Sequence, residues 1–121
     1  MPFDRDTLDL LATTREVRVE TSRPGGPVHG AIIWVVVDGA DVFVRSWRGA
    51  TARWYREARA NPQVTIVAGE RSISASAVPA TDPESIRRCS DGFLGKYRRS
   101  KSALSMVADD ILDTTLRIDP A

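Results

Sequence analysis

Alternation of hydrophobic and polar residues runs through much of the chain and predicts short strands. Val17, Val19 and Thr21 share one face of a strand, and charged residues between them occupy the other face. Residues 23–27 contain two prolines and two glycines, which favours a hairpin to the following strand. That strand, residues 30–37, is apolar on both faces. We therefore expect the core to cover one face and a helix or a partner subunit to cover the other.

The remaining strand patterns are short and are separated by turns or helices. They cover residues 42–44, 64–68, 71–78 and 114–118. Asp38 and Gly39 favour a tight hairpin between the long apolar strand and the strand after it. Short strands joined by hairpins favour a small antiparallel barrel over a parallel sheet, and a closed barrel would leave no exposed sheet edge.

Helices are predicted at three places along the chain. Residues 4–12 have acidic residues in their first turn, residues 50–60 are good helix formers, and a third helix begins at Pro83 after the capping residue Asp82. Asn61 precedes Pro62 and ends the second helix, because the residue before a proline avoids the helical region.

Within the second helix, the spacing predicts which side chains face inward. Trp54 and Ala58 lie four residues apart and should face the core, while Arg53 and Glu57 should form an ion pair at the surface. In the third helix, the apolar face includes Cys89, which we interpret as a small core residue.

Composition and charge exclude several classes of protein. The chain has 121 residues, of which 42% are hydrophobic, and this suits a single domain over residues 1–121. Its 17 Lys and Arg residues against 16 Asp and Glu residues give a net charge of +1, which argues against a dedicated nucleic-acid binder. One cysteine and one histidine, His29, provide neither a disulfide framework nor a metal cluster, so we expect no metal.

The sequence also predicts a soluble, cytoplasmic protein without a membrane partner. The residues after Met1 are polar and mixed in charge rather than those of a leader. The longest strongly apolar run, residues 31–37, is far shorter than the roughly 20 residues that span a bilayer.

The candidate chemistry lies where the strand over residues 42–44 ends. A strand that passes through a basic, glycine-containing turn into a helix can direct backbone N–H groups and guanidinium groups at one anion. Arg45 stands out, because strand alternation places its charge among aromatic residues, where burial without a partner is costly. The candidate cofactor-binding residues of this turn and helix start are Arg45, Ser46, Trp47, Arg48, Gly49, Arg53 and Trp54.

The order of these motifs resembles the flavin-binding split-barrel superfamily, the pyridoxamine 5′-phosphate oxidase-like proteins, and most of all its deazaflavin-dependent nitroreductase branch. The resemblance covers about residues 15–80. It is carried by the turn Ser46-Trp47-Arg48-Gly49, the pair Trp54-Tyr55 and the segment Ala60-Asn61-Pro62-Gln63-Val64. The helix predicted after Pro83 is a departure from the pattern of that superfamily.

The resemblance implies a mainly β fold with α: a six-stranded antiparallel split β-barrel with flanking short helices. It also implies a homodimer that holds FMN or a deazaflavin coenzyme between its subunits. Carried over by position, Ser46, Arg48 and Gly49 would contact the cofactor phosphate, and Trp54 and Tyr55 would lie at the helix that closes over it.

The leading functional prediction is therefore an FMN- or deazaflavin-dependent oxidoreductase. In such sites the cofactor performs the hydride chemistry, so no catalytic residue needs to stand out in the sequence. Arg45 and Arg53 would help to hold the phosphate, and Trp47 would position the ring. His29 is either a proton donor near the flavin or, as we favour, a structural residue.

Two alternatives belong to other classes of protein. One is a split barrel without a cofactor that binds a small ligand or another protein. The other is a nucleic-acid surface around residues 87–101, although a solvated helix end with cations near its C-terminal dipole explains that basic run more simply. No order of Ser, His and Asp residues supports hydrolytic chemistry.

Overall fold

The computed structural model describes residues 2–121, and within them the chain forms seven strands and three α-helices. The strands are β1 (Val17–Thr21), β2 (His29–Ile33), β3 (Val36–Asp38), β4 (Asp41–Val44), β5 (Gln63–Ala68), β6 (Arg71–Pro79) and β7 (Leu116–Pro120). The α-helices are α1 (Arg5–Thr13), α2 (Arg53–Ala60) and α3 (Pro83–Lys96). Three short 3₁₀ segments cover Gly49–Thr51, Leu104–Val107 and Asp109–Thr114.

All seven strands belong to one antiparallel sheet with the order β2-β1-β5-β6-β7-β4-β3. The two edge strands, β2 and β3, follow each other in the chain and are separated only by Trp34 and Val35. The sheet must therefore curl until its two edges come close, and it forms an open half-barrel.

The predicted number of six strands is wrong, because the apolar run over residues 30–37 is not one strand. It is interrupted at Trp34 and Val35, and its two parts pair with different neighbours, β2 with β1 and β3 with β4. No hydrogen-bond ladder joins β2 to β3 within residues 2–121, so the expected closed barrel without edges is also not formed.

Side chains from the end of α3 provide hydrogen bonds at the interruption. The Val35 N–H donates to the Tyr97 hydroxyl at 3.2 Å, and this hydroxyl donates to the Arg15 carbonyl at 2.7 Å. The Lys96 ammonium donates to the carbonyls of Val35, Thr14 and Leu11 at 2.7, 2.7 and 2.9 Å. Lys96 and Tyr97 therefore replace the missing ladder bonds and also cap the C-terminal end of α1.

These two side chains are not the solvated helix end that the basic run predicts. Burial lowers the pKa of Lys96 to about 8, and burial raises the pKa of Tyr97 to about 12. The Tyr97 ring stacks on Trp34 with the ring centroids 3.9 Å apart and the planes within 3°. The helix end is thus part of the packing that holds the strand interruption.

Two hydrophobic clusters make up the core. One joins β1, β2 and β4–β7 to α1 and α2, and it contains the inward-facing Trp54 and Ala58 that the helix spacing predicts. The other packs α3 against Val36 and Phe43. Gly92 allows this close approach, because a Cβ atom at position 92 would lie 2.9 Å from the Cβ atom of Val36.

Several local predictions are confirmed. Asp82 accepts a hydrogen bond from the Ser85 N–H and caps α3, and Asn61 ends α2. Cys89 is fully buried, as predicted for a small core residue, and burial raises the pKa of its thiol to about 12. None of the helices within residues 2–121 has the length and apolar character that crossing a membrane requires.

The role of Lys96 can be tested by comparing two lysines of the same basic run. Lys96→Met removes the donor of three carbonyls, and we expect it to lower the free energy of unfolding by about 2–3 kcal/mol, measured by urea denaturation. Lys101 is exposed, so Lys101→Met should change the same quantity by no more than about 0.5 kcal/mol. Equal effects of the two substitutions would contradict this role.

Candidate functional site

A groove of about 650 Å³ lies between β2, the turn after β4 and the start of α2. Its volume is within the range of roughly 300–1,000 Å³ that is usual for small-molecule sites. Its walls combine apolar, aromatic and basic side chains, among them Ile32, Trp34, Trp47, Arg48, Arg53 and Trp54. We call it the β2–α2 groove.

The turn that leads into the groove is closed by its own hydrogen bonds. The Ser46 hydroxyl donates to the Gly49 carbonyl at 2.6 Å, and the Gly49 N–H donates to the Ser46 carbonyl at 3.0 Å. The Ser46 N–H donates to the Thr114 hydroxyl at 3.1 Å, which ties the turn to the segment before β7. Gly49 has φ +72°, a conformation that favours glycine, so this residue fixes the path of the turn.

Arg45 lies behind the turn and is only 1% exposed. Its Nε donates to the Thr115 hydroxyl at 2.7 Å, and its terminal nitrogens donate to the Ser90 hydroxyl and to the carbonyls of Met106 and Ile86 at 2.8–3.0 Å. Desolvation by burial lowers the pKa of Arg45, and no carboxylate within residues 2–121 forms an ion pair with it. Neutral acceptors therefore supply the partners that burial of this charge requires.

The side chains on the solvent side of the turn are different. Trp47 is 62% exposed, and the guanidinium groups of Arg48 and Arg53 are exposed and form no ion pair with any described residue. Trp54 is buried and meets Tyr55 edge to face, with the ring centroids 6.1 Å apart. One wall of the groove thus presents an aromatic surface and two free cations.

Five of the seven candidate residues line the groove: Arg45, Trp47, Arg48, Arg53 and Trp54. Ser46 and Gly49 instead hold the turn by bonding to each other. Whether this set binds a cofactor stays a prediction. The grouping itself follows from the strand, turn and helix order, because these elements are consecutive in the chain.

The Arg53–Glu57 ion pair expected from the helix spacing is not formed. Glu57 faces inward, where it accepts a hydrogen bond from the Thr21 hydroxyl at 2.9 Å and lies 3.0 Å from the Nδ1 atom of His29. A signal for this contact was present in the sequence. Thr21 occupies the inward face of β1 and needs a buried polar partner, and Glu57 precedes the inward-facing Ala58.

The fold of the chain is that of the split-barrel proteins. It matches the conserved hypothetical protein Rv2991 of Mycobacterium tuberculosis with a TM-score of 0.71 and 17% identity, over 100% of this chain and 81% of that one. It matches the heme storage protein HutZ of Vibrio cholerae with a TM-score of 0.67 and 16% identity, over 100% and 92%. An F420-H2-dependent reductase matches with a TM-score of 0.64 and 16% identity, over 86% and 92%.

A family model of uncharacterised proteins conserved in bacteria, DUF2255, matches residues 7–118. The chain therefore belongs to the DUF2255 family, and its split-barrel relationship is one of fold. No curated protein matches the sequence.

The contrast between Arg45 and Arg48 can be tested by the same substitution at both positions. Arg45→Met leaves two hydroxyls and two carbonyls without their donor, so we expect the free energy of unfolding to fall by about 3 kcal/mol in urea denaturation. Arg48→Met changes an exposed side chain and should alter stability by no more than about 0.5 kcal/mol. A stable Arg45→Met variant would show that the buried guanidinium is dispensable for folding.

Proposed function

We propose that this protein is a flavin- or deazaflavin-binding oxidoreductase of the split-barrel type and that its cofactor occupies the β2–α2 groove. The observation that carries the proposal is the pairing of an exposed Trp47 with the unpaired guanidinium groups of Arg48 and Arg53 along one groove of about 650 Å³. A flavin needs both kinds of surface, because it joins a planar aromatic ring to a phosphate.

The basic end of the groove suits the phosphate. Arg48 and Arg53 are exposed and lack an ion pair among the described residues, and guanidinium groups bind phosphate through paired N–H donors. Ala52 precedes α2 and offers no side-chain cap, so the first N–H groups of the helix receive no side-chain acceptor. An anion at this position would meet both the arginines and these N–H groups.

The aromatic end of the groove suits the ring. Trp47 leaves most of its surface in solvent, and Ile32 on β2 is 62% exposed as well. A planar ring placed between such side chains would cover apolar surface that the chain itself leaves open. All three guanidinium nitrogens of Arg45 donate to internal acceptors, so we propose that Arg45 supports the turn and does not contact the phosphate.

When bound, such a cofactor would supply the hydride chemistry, and the chain would supply binding and orientation. The name of one structural neighbour, the F420-H2-dependent reductase, supports redox chemistry on this fold. At this level of sequence identity, a similar fold does not imply a similar activity. The activity therefore has to be argued from the site.

The cofactor proposal predicts the effect of removing each free arginine. The purified protein should bind FMN or coenzyme F420 with quenching of its tryptophan fluorescence. Because a charged hydrogen bond contributes about 1.5–3 kcal/mol, Arg48→Ala and Arg53→Ala should each weaken binding roughly 10- to 100-fold. Arg98→Ala, which removes an exposed arginine beyond α3, should leave the affinity unchanged.

A protein that binds neither compound at saturating concentrations would contradict the proposal. It would favour the alternative of a split barrel that binds a different ligand or a protein. Equal weakening by Arg98→Ala would mean that overall charge, and not the groove, attracts the cofactor.

We also infer that two copies of the chain form a homodimer through the face next to the groove. The predicted cover for both faces of residues 30–37 is only partly provided by the chain itself, since Ile32 is 62% exposed. Ile32 lies within the edge strand β2 and lines the groove together with the exposed Trp47, and Val28, which precedes β2, is 66% exposed. Apolar exposure of this kind is typical of interaction surfaces.

The homodimer predicts a change in mass after a single substitution. Sedimentation of the wild-type protein at micromolar concentration should give the mass of a dimer, and Ile32→Lys should shift it toward the monomer because a charge would be buried at the interface. Leu94→Lys, on the exposed side of α3, should remain a dimer. A monomeric wild-type protein would contradict the inference.

A further inference from the structure

A cluster of three polar side chains ties α2 to the hairpin of β1 and β2 at the edge of the β2–α2 groove. Glu57 is 5% exposed, and the Thr21 hydroxyl donates to its Oε1 at 2.9 Å. The Nδ1 atom of His29 lies 3.1 Å from Oε1 and 3.0 Å from Oε2 of the same carboxylate. Thr21 and His29 are the only side chains within residues 2–121 that hydrogen-bond to Glu57.

The charge of Glu57 decides which nitrogen of His29 carries a proton. Burial acts to raise the pKa of Glu57, but the hydrogen bonds from Thr21 and His29 and the nearby Arg53 charge outweigh it, and the pKa lies below its ordinary value. Glu57 is thus a carboxylate at neutral pH. A carboxylate can only accept a hydrogen bond, so Nδ1 of His29 must be the donor.

The other ring nitrogen of His29, Nε2, is left without a partner by the described part of the chain. His29 lines the groove, and no residue among those described forms a hydrogen bond with its Nε2 atom. The histidine side chain is 35% exposed, so solvent protons can reach the ring. The hydrogen bond to the carboxylate also fixes the orientation of the ring.

We propose that His29 is the acid–base residue of the β2–α2 groove and that Glu57 and Thr21 are the positioning residues that hold its ring. This inference rests on the proposed function. A reduced cofactor held in the groove would supply a hydride to carbon or nitrogen of the acceptor, and His29 would give the Nε2 proton of its imidazolium to the acceptor's heteroatom. The acceptor would thereby gain two electrons, which the cofactor would lose.

After this step the neutral imidazole keeps its Nδ1–H, which still donates a hydrogen bond to Glu57. A proton from solvent then restores Nε2–H. The charged groups around the imidazole ring of His29 favour an acceptor that carries negative charge, because most of these groups are cations. They comprise Arg53 and Arg56 on α2, Arg23 in the hairpin loop, and Arg48 and Glu16 along the groove.

The first test uses the fact that His29 is the only histidine of the chain, so its imidazole gives an unambiguous NMR signal. In ¹⁵N-labelled wild-type protein, we expect the neutral ring to carry its proton on Nδ1. Addition of oxidised FMN or coenzyme F420, whichever binds, should shift the Nε2 resonance more than the Nδ1 resonance. A ring protonated on Nε2, or an Nε2 resonance that does not move at saturation, would overturn the inference.

The second test measures the rate at which bound, reduced cofactor is oxidised by the dye 2,6-dichlorophenolindophenol under anaerobic conditions. This dye takes up a hydride and a proton and is an anion at neutral pH. His29→Gln keeps an N–H donor for Glu57 but has no transferable proton, so the rate should fall about 100-fold while cofactor affinity stays within twofold. The wild-type rate should decrease toward alkaline pH, and the variant should lose that dependence.

Glu57→Gln tests the positioning role, because an amide can donate as well as accept and no longer fixes which ring nitrogen of His29 carries the proton. We expect it to lower the rate about tenfold with the cofactor still bound. Glu20→Gln, which removes a carboxylate from the opposite face of β1, is the matched control and should leave the rate and its pH dependence unchanged.

The outcomes separate this inference from the proposed function. A protein that binds no cofactor overturns both. A protein that binds cofactor, and whose His29→Gln variant keeps the wild-type rate and pH dependence, overturns only the role of His29. Absence of dye reduction by the cofactor-loaded wild-type protein also counts against that role.

Discussion

The backbone of Val35 must find hydrogen-bond partners at the point where the sheet is interrupted, and the rest of the structure depends on how it does so. Tyr97 and Lys96, both at the end of α3, supply a partner for its N–H and for its carbonyl. A buried backbone group without a partner would cost about 1–3 kcal/mol. The contacts of α3 therefore permit the sheet to change direction there, and this change brings β2 opposite the turn after β4, where the two form the walls of one groove.

The turn after β4 and the start of α2 contain arginines in two opposite environments. Arg45 is enclosed and has four neutral hydrogen-bond acceptors, which connect the end of β4 to α3, to the 3₁₀ segment Leu104–Val107 and to Thr115, the residue before β7. Arg48 and Arg53 face solvent and have no anionic partner among the described residues. A rigid base that carries free cations is the arrangement that precise anion recognition needs, because little order has to be gained upon binding.

Local patterns in the sequence were sufficient for much of this architecture. The alternation of Val17 and Val19, the capping residue Asp82 and the Asn61–Pro62 helix end each act over a few residues, and the structure has them as predicted. The strand interruption could not be predicted in this way, because its hydrogen-bond partner Tyr97 lies 62 residues away from Val35. Glu57 was misassigned because the helix spacing to Arg53 was given more weight than the polar Thr21 on the inward face of β1, 36 residues away.

The covalent link between β2 and β3 also bears on how far the half-barrel can open. Its two edge strands lie at opposite ends of the ladder, yet Trp34 and Val35 keep them within two residues of each other. Exposed edge strands are templates on which other chains can add. In a circularly permuted chain, opened between Trp34 and Val35, these two edges could move apart, one of them with the exposed Ile32. Continuity of the chain at this point thus limits how far the half-barrel can open.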